Sequence, residues 1–179
     1  RRKIHRMALG LVLELLEDDA DLAEIAGRRA LGQIVLVGGR VFDAKGRPLA
    51  GARVEIWQAN AYGRYHHPGD TSSKLVDPNF QGSGFTIADA GGAYRFRTVK
   101  PAAYGAGFGM RTPHIHFRVV KSGGGELVTQ MYFAGEELNQ QDGLLGQIRD
   151  PLARSSVIVD FRPGADGALT GAFDIVLGS

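Results

Sequence analysis

The chain alternates short runs of apolar residues with turns rich in glycine, and this pattern favours folds built from short β-strands. Glycine accounts for 26 of the 179 residues, which indicates many tight turns rather than a helical bundle. Several short strands joined by turns predict an all-β fold, an antiparallel β-sandwich with long loops. The eight predicted strands cover residues 33–42, 52–58, 85–88, 94–99, 114–120, 127–133, 157–161 and 171–177.

A helical pattern occupies the N-terminus. Apolar residues recur there at the i, i+3, i+4 and i+7 spacing of a helix with one buried stripe, at Leu9, Val12, Leu13 and Leu16. They predict a short amphipathic helix that packs on the domain or on a second subunit. The polar, alanine-rich segment 18–32 is either a connector or a second short helix. The chain therefore divides into an N-terminal helix with its connector, residues 1–32, and a β-sandwich domain, residues 33–179.

Composition and charge exclude several classes of protein. The chain has no cysteine, which excludes disulfide scaffolds, zinc fingers, iron–sulfur sites and cysteine nucleophiles. Its 21 basic and 19 acidic side chains nearly balance, so there is no electrostatic reason to expect nucleic acid. The apolar run 7–16 is interrupted by Glu14 and is shorter than the roughly 20 residues that span a bilayer. No small-x-small cleavage site follows it. We expect a cytoplasmic protein that binds neither nucleic acid nor membranes.

Two long segments, 59–84 and 100–113, show little periodicity, and long loops in a compact domain are commonly functional. Directly after the second comes His114-Ile115-His116. On a strand, residues i and i+2 point to the same face, so the two imidazoles converge while Ile115 enters the core. Two neighbouring imidazoles are a common beginning of a metal site. A pair of hydrogen-bonded histidines at a strand end is the alternative.

The other residues limit how a metal site could be completed. No histidine follows position 116, as a cupin-like site would need, and a three-histidine zinc site could recruit only His66 or His67. Tyr62 and Tyr65 lie in the first loop and Tyr104 in the second. Two tyrosines and two histidines suit Fe(III), because phenolate is a hard anionic donor and imidazole also binds iron. Two phenolates and one hydroxide would neutralise the ferric ion, which permits a buried site.

A series of motifs runs through the domain. They are GRV (39–41), VEIWQAN (54–60), GRY (63–65), DPNF (77–80), YRFRTVKP (94–101), RTPHIHF (111–117), TQMYF (129–133) and FDIVL (173–177). Together and in this order they resemble the motifs of the intradiol ring-cleavage dioxygenases, in particular of the iron-bearing chain of the protocatechuate 3,4-dioxygenases. The resemblance extends from about Asp21 to the C-terminus.

The resemblance implies a non-haem Fe(III) site with four protein ligands, Tyr65, Tyr104, His114 and His116. Tyr104 matches the tyrosinate that the substrate displaces, and Tyr65 matches the one that stays bound. Three other tyrosines are expected to be structural: Tyr62, Tyr94 and Tyr132.

The resemblance also implies the residues of the substrate pocket. Arg111 matches the arginine held over the bound catechol, where a guanidinium stabilises charge that develops in the reaction. Gln130 matches a pocket glutamine, and both residues, with Tyr104, are expected to be catalytic. Trp57 matches the pocket wall, although a core aromatic of a strand is the alternative. Gly-Ala at 105–106 replaces the Pro-Trp of the protocatechuate enzymes, which should widen the pocket.

The implied reaction is cleavage of a catechol ring between its two hydroxyl-bearing carbons by O2, which gives a muconate-type diacid. Protocatechuate-like compounds, catechol and hydroxyquinol all satisfy this chemistry, and for a carboxylated substrate Arg64 is a candidate cation. His66 and His67 are expected to be solvated or to support the ligands. We expect a homo-oligomer, or a hetero-oligomer with a homologous chain. The alternatives are a non-catalytic β-sandwich binding module and an accessory subunit of a hetero-oligomeric dioxygenase.

Overall fold

The computed structural model describes residues 19–178. Its main elements are two five-stranded β-sheets. The helix predicted on Leu9, Val12, Leu13 and Leu16 lies outside these residues. A 3-10 helix (Glu137–Gln140) and two short α-helices, α1 (Gly143–Gln147) and α2 (Pro151–Ser156), follow the tenth strand. The strands are β1 (Glu24–Ile25), β2 (Arg28–Arg29), β3 (Ile34–Asp43), β4 (Arg53–Trp57), β5 (Ser83–Ile87), β6 (Ala93–Val99), β7 (Tyr104–Ala106), β8 (Gly109–Arg111), β9 (His114–Val120), β10 (Glu126–Phe133), β11 (Ile158–Val159), β12 (Arg162–Pro163), β13 (Leu169–Ala172) and β14 (Ile175–Leu177).

The two sheets pack around one apolar core. The first sheet has the strand order β11-β10-β9-β4-β5. In the second sheet, β12 pairs with β13, and β13, β14 and β6 all pair with β3. Phe96 of the second sheet and Phe117 of the first meet edge to face, with ring centroids 6.5 Å apart. Phe173 packs on the same Phe117 ring at 5.0 Å. The predicted β-sandwich is therefore confirmed.

The alternation of β9 explains why a polar site forms on the first sheet. Ile115, Phe117 and Val119 are fully buried in the core, as the period-2 pattern predicts. His114 and His116 alternate with these core residues along the strand, so they point to the opposite face, away from the sandwich core. The core thus holds the strand in place, while its other face carries the imidazoles.

Strand direction departs from the predicted antiparallel pattern in both sheets. β13 and β14 both run parallel to β3, and β11 runs parallel to β10. The predicted strand 171–177 is interrupted where the Phe173 carbonyl approaches β3. A Cβ at Gly39 would lie 2.0 Å from that oxygen, so only glycine fits there. Alternation of apolar and polar residues carries no information about direction, which is why the parallel pairs were not predicted.

The connector at 18–32 contains a hairpin rather than a second helix. β1 and β2 pair around Ala26 and Gly27, whose φ angles of 49° and 73° are typical of a tight hairpin turn. Leu22, Ala23 and Ala30 belong to the buried core. The described part of this segment therefore packs on the sandwich. Among residues 19–178, no helix is long and apolar enough to cross a membrane.

Candidate metal centre

The strand register places several of the predicted site residues on the same face of the first sheet. His116 lies opposite Trp57 of β4 and opposite Gln130 of β10. His114 lies opposite Tyr132. Residues directly opposite one another in a sheet project from the same face. Five side chains therefore share the face that points away from the sandwich core.

Tyr65 reaches this face from the loop after β4, which is braced by polar contacts. The buried amide oxygen of Asn60 accepts the N–H groups of residues 62 and 64, at 2.9 and 3.0 Å. Arg64 donates to the backbone carbonyls of residues 70, 72 and 74, and Asp70 accepts the Tyr65 N–H at 2.8 Å. Three of the five N–H donors of Arg64 are thus used by the loop, which makes Arg64 a brace of this segment.

Tyr104 comes from a hairpin inside the second segment that the sequence pattern left irregular. β7 and β8 pair around residues 107–108, with Tyr104 opposite Arg111. The hairpin lies against the Tyr65 loop at Gly63, whose φ is 81° and where a Cβ would meet the Ala103 carbonyl oxygen at 2.7 Å. A glycine is required at this approach. Two loops that are distant in sequence are thus held side by side.

The structure brings the four predicted ligands together. The Tyr65 Oη lies 3.1 Å from the Tyr104 Oη, 3.1 Å from the His116 Nε2 and 3.5 Å from the His114 Nε2. The His114 Nε2 is 3.3 Å from the Tyr104 Oη and 3.2 Å from the His116 Nε2. Ligand atoms about 2.1 Å from a shared ion lie roughly 3.0–3.4 Å from one another. The spacing therefore suits a single metal ion.

The two histidines are set up to present lone pairs to this cluster. The Nδ1–H of His114 donates to the Thr112 carbonyl at 2.7 Å, which leaves Nε2 as the free acceptor. Burial lowers the pKa of His114 to about 4 and, with the neighbouring His114 and Arg111 charges, that of His116 to about 3. Both imidazoles are therefore neutral at neutral pH, the form that binds metals.

Tyrosine oxygens are required to complete a metal site. Among residues 19–178, no group of three or more histidine, aspartate and glutamate side chains is placed to hold a metal. Burial raises the pKa of Tyr65 well above its ordinary value, and the hydrogen bond with Tyr104 raises it further. The protein alone thus keeps this phenol protonated, whereas a trivalent cation would supply the positive charge that stabilises a phenolate. The donor set fits Fe(III).

Arg111 lies beside the cluster in a fixed orientation. Its Nε donates to Asp142 at 2.9 Å, and one terminal nitrogen donates to Gln130. Burial by itself lowers the pKa of Arg111, but the hydrogen bond and charge of Asp142 raise it above the ordinary value. The Tyr132 hydroxyl donates to the same Gln130 oxygen at 2.9 Å. The guanidinium is therefore both charged and held in place.

Asp142 and Tyr132 contact residues of the candidate site but were not among the predicted site residues. Asp142 is buried; besides Arg111 it accepts the Thr112 N–H at 3.0 Å and caps α1. Tyr132, predicted to be structural, packs a tilted ring 6.0 Å from His114. An aspartate before Gly-Leu-Leu is a recognisable helix-cap signal, but the sequence does not show which cation it would meet.

A cavity of about 700 Å³ opens next to the cluster. Trp57 forms part of its wall and stacks flat on the His116 ring, with centroids 4.8 Å apart and planes 7° apart. Trp57 is thus a wall residue, not a core aromatic. The other lining residues are Gly63, Tyr65, His67, Gly69, Asp70, Thr71, Ser72, Lys74, Tyr104, Gly105 and Ala106.

The remaining histidines and tyrosines among residues 19–178 lie outside the four-atom cluster. His66 is exposed and packs edge-on against Phe80 at 5.7 Å. His67 lines the cavity, where its Nδ1 accepts the Gly69 N–H at 2.9 Å. Tyr62 is exposed, and the buried Tyr94 hydroxyl donates to the Phe173 carbonyl. None of these four side chains contributes an atom to the cluster.

Comparisons with known proteins agree with the motifs. The sequence profile of the dioxygenase family matches residues 13–179. The chain is 41% identical to the protocatechuate 3,4-dioxygenase beta chain of Burkholderia cepacia over 169 residues, which cover 90% of this chain and 72% of that relative. The chain belongs to the intradiol ring-cleavage dioxygenases. The resemblance inferred from the sequence motifs is therefore confirmed.

Other members of this dioxygenase family are similar over part of their length. Catechol 1,2-dioxygenase of Acinetobacter baylyi is 35% identical over 62% of this chain, and this chain spans 39% of that relative. Among solved structures, the dioxygenase domain of a dioxygenase carbohydrate-binding protein fusion from Streptomyces sp. SirexAA-E matches with a TM-score of 0.68 and 30% identity. That match covers 89% of this chain and 86% of the solved one. The intradiol dioxygenase fold is thus present in the described residues.

Proposed function

We propose that this intradiol dioxygenase holds one ferric ion between Tyr65, Tyr104, His114 and His116 and cleaves a catechol-type ring with O2. The observation that carries the proposal is the convergence of two phenol oxygens and two neutral imidazole nitrogens within 3.1–3.5 Å. Polar groups buried together without a charge partner are costly. A trivalent cation removes that cost, whereas a non-catalytic binding module would have no use for the arrangement.

Fe(III) held by Tyr65, Tyr104, His114 and His116 would supply a Lewis acid that stabilises the negative charge of a deprotonated catechol. The bond between the two oxygen-bearing carbons breaks, and each of these carbons becomes a carboxyl group. Both atoms of O2 enter the diacid product, so no further oxidant or reductant is needed.

The protein's own groups handle protons and charge around the substrate. We assign Tyr104 as the acceptor of one of the two protons that a catechol loses on binding, since its oxygen is at the cluster and its hairpin is partly exposed. The hydroxide that would complete the charge balance of the ferric ion would accept the other proton. Arg111 stabilises negative charge that develops on the ring. Gln130 fixes the guanidinium. Trp57 covers the His116 ring and limits the access of water.

Metal analysis combined with oxygen uptake tests the proposal. The purified chain, reconstituted with Fe(II) and oxidised, should hold about one iron per chain and consume O2 with catechol, 3,4-dihydroxybenzoate or hydroxyquinol, with formation of a muconate-type diacid. The double variant His114→Ala/His116→Ala, checked for folding by circular dichroism, should lose both properties. Failure of the wild-type chain to retain iron or to consume O2 with any catechol would instead support a binding module or an accessory subunit.

The assembly and cellular location belong to the same proposal. The name of the Burkholderia cepacia relative describes one chain of an enzyme with more than one kind of chain, which favours a hetero-oligomer with a homologous chain over a homo-oligomer. Light scattering of the chain expressed alone would separate the two. We propose that the protein is located in the cytoplasm.

A further inference from the structure

We propose that Lys74 binds an anionic substituent, a carboxylate, on the ring of the substrate, and that carboxylated catechols are therefore the preferred substrate class. This inference rests on the function proposed above. Lys74 lies in the loop that also carries Tyr65, and it lines the same cavity as Tyr65, Tyr104 and Trp57. It is the one lysine or arginine among the residues that line this cavity.

The ammonium group of Lys74 stands close to the metal ligands. Its Nζ lies 5.6 Å from the centroid of the Tyr104 ring, within the range of a cation–π contact. Its Nζ donates one long hydrogen bond, 3.3 Å, to the Gly63 carbonyl. The side chain is half-buried. A substrate that displaces Tyr104 would therefore meet a fixed positive charge beside the ring it replaces.

Most of the hydrogen-bonding capacity of this ammonium group is left for a ligand. An ammonium carries three N–H donors, and the bond to Gly63 uses one of them. Among residues 19–178, Lys74 has no carboxylate within 4.0 Å, unlike Lys100, which pairs with Glu136. Asp70 lines the same cavity, but its carboxylate accepts the N–H groups of Tyr65 and Ser72. The protein thus leaves the charge of Lys74 without a direct partner in the described part of the chain.

Two other cations near the site already have protein partners. Arg111 is held by Asp142 and Gln130, and Arg64 is tied to three backbone carbonyls. The cavity is also lined by Gly105 and Ala106, whose small side chains leave room for a ring substituent. The geometry thus combines space for a substituent with one available positive charge.

Substrate preference in matched variants tests the assignment. The measured quantity is the ratio of kcat/KM for 3,4-dihydroxybenzoate to kcat/KM for 4-methylcatechol, because the two differ in charge but little in size. Lys74→Met should lower this ratio roughly 10- to 100-fold, as expected for loss of one hydrogen bond to a charged group. Lys74→Arg should retain most of it. Lys121→Met, on the turn between β9 and β10, is the matched control and should leave the ratio unchanged.

Charge reversal and binding give independent readouts. Lys74→Glu should prefer 4-(2-aminoethyl)catechol, which carries an ammonium group, over 3,4-dihydroxybenzoate. Under anaerobic conditions, titration calorimetry should show weaker binding of 3,4-dihydroxybenzoate to Lys74→Met than to wild type, by the same factor as the kinetic ratio. If Lys74→Met is misfolded by circular dichroism, the comparison of Lys74→Arg with Lys74→Glu decides.

The outcomes separate this inference from the proposed function. A wild-type chain that consumes O2 with several catechols, but whose preference is the same in Lys74→Met and Lys74→Glu, would overturn the role of Lys74 and leave the dioxygenase activity standing. A wild-type preference for uncharged catechols would likewise overturn it. A wild-type chain that consumes O2 with no catechol would overturn the proposed function itself.

Discussion

Tyr104 and Arg111 are directly opposite one another in the β7–β8 hairpin, so the phenol and the guanidinium project from the same face of one small structural unit. The hairpin therefore places a metal-ligand candidate beside the guanidinium that we propose stabilises charge on the substrate. Its two-residue turn at 107–108 is exposed, while Arg111 is anchored to Asp142. One end of the hairpin is thus tied to the protein through Arg111, while its turn faces the solvent.

Arg111→Ala should reduce turnover by ~10²–10³, the scale for removal of a group that stabilises transition-state charge. The metal should be retained, because Arg111 is not one of the four clustered ligands. Steady-state oxygen uptake and iron content measured on the same sample check both expectations. Arg162→Ala, an exposed arginine paired only with Asp160, serves as the control. Unchanged turnover in Arg111→Ala would remove this residue from the mechanism.

Asp142→Asn should separate the capping role of this residue from its role as the partner of Arg111. Asparagine still caps a helix well, so Oδ1 can keep its contacts to α1. The new amide group cannot accept from the Arg111 Nε or the Thr112 N–H. Because one partner of a buried ion pair is lost, we expect a destabilisation of ~3 kcal/mol and a lower kcat. Urea unfolding and oxygen uptake measure the two effects.

The same variant should show how the Asp142 carboxylate contributes to stability as pH changes. Burial by itself raises the pKa of Asp142, but hydrogen bonds from the Leu145 N–H, Arg111 and the Thr112 N–H lower it overall. A depressed pKa stabilises the folded state above the unfolded-state value, about 3.9, and the contribution is lost as pH falls below it. The difference in unfolding free energy between wild type and Asp142→Asn should therefore shrink between pH 5 and pH 3. A constant difference would contradict the assigned charge state.

The sequence predicted the sandwich and the local placement of the histidines because both depend on short-range patterns. The alternation in β9 alone puts Ile115 in the core and His114 and His116 on the other face. The Tyr65 and Tyr104 assignments came from family motifs, and the structure brings both oxygens to the histidines. No local pattern could show that Tyr65 lies within 3.1 Å of His116, since 51 positions separate them.

Other features were missed because they depend on contacts between distant segments. The β7–β8 hairpin is rich in glycine and shows no apolar alternation, so it was interpreted as an irregular loop. Asp142 meets Arg111 only after the chain has passed through β9 and β10. Arg64 was considered as a substrate cation because of its loop position. Its carbonyl partners at residues 70, 72 and 74 are set by the fold of that loop.

Gly39→Ala should destabilise the sandwich without touching the metal centre. Its added Cβ would lie 2.0 Å from the Phe173 carbonyl oxygen, so the junction between β13 and β14 would have to move away from β3. Overpacking of this kind costs about 1–3 kcal/mol. Chemical denaturation measures the loss. Gly178→Ala, where a Cβ meets no atom within 4 Å among the described residues, is the control, and equal stability of the two variants would contradict the close approach.

Tyr65→Phe tests the proposal that Tyr65 binds the iron as a phenolate. A phenolate bound to ferric iron gives a charge-transfer absorption in the visible range, so the iron-loaded protein should be reddish-brown. Since the Tyr65 Oη contacts the other three ligand atoms, its removal should abolish most of this colour and weaken iron retention. Tyr62→Phe, in the same loop but exposed, should keep the spectrum of wild type. A colourless wild-type protein that contains one iron per chain would contradict the assignment of tyrosine ligands, whatever its activity.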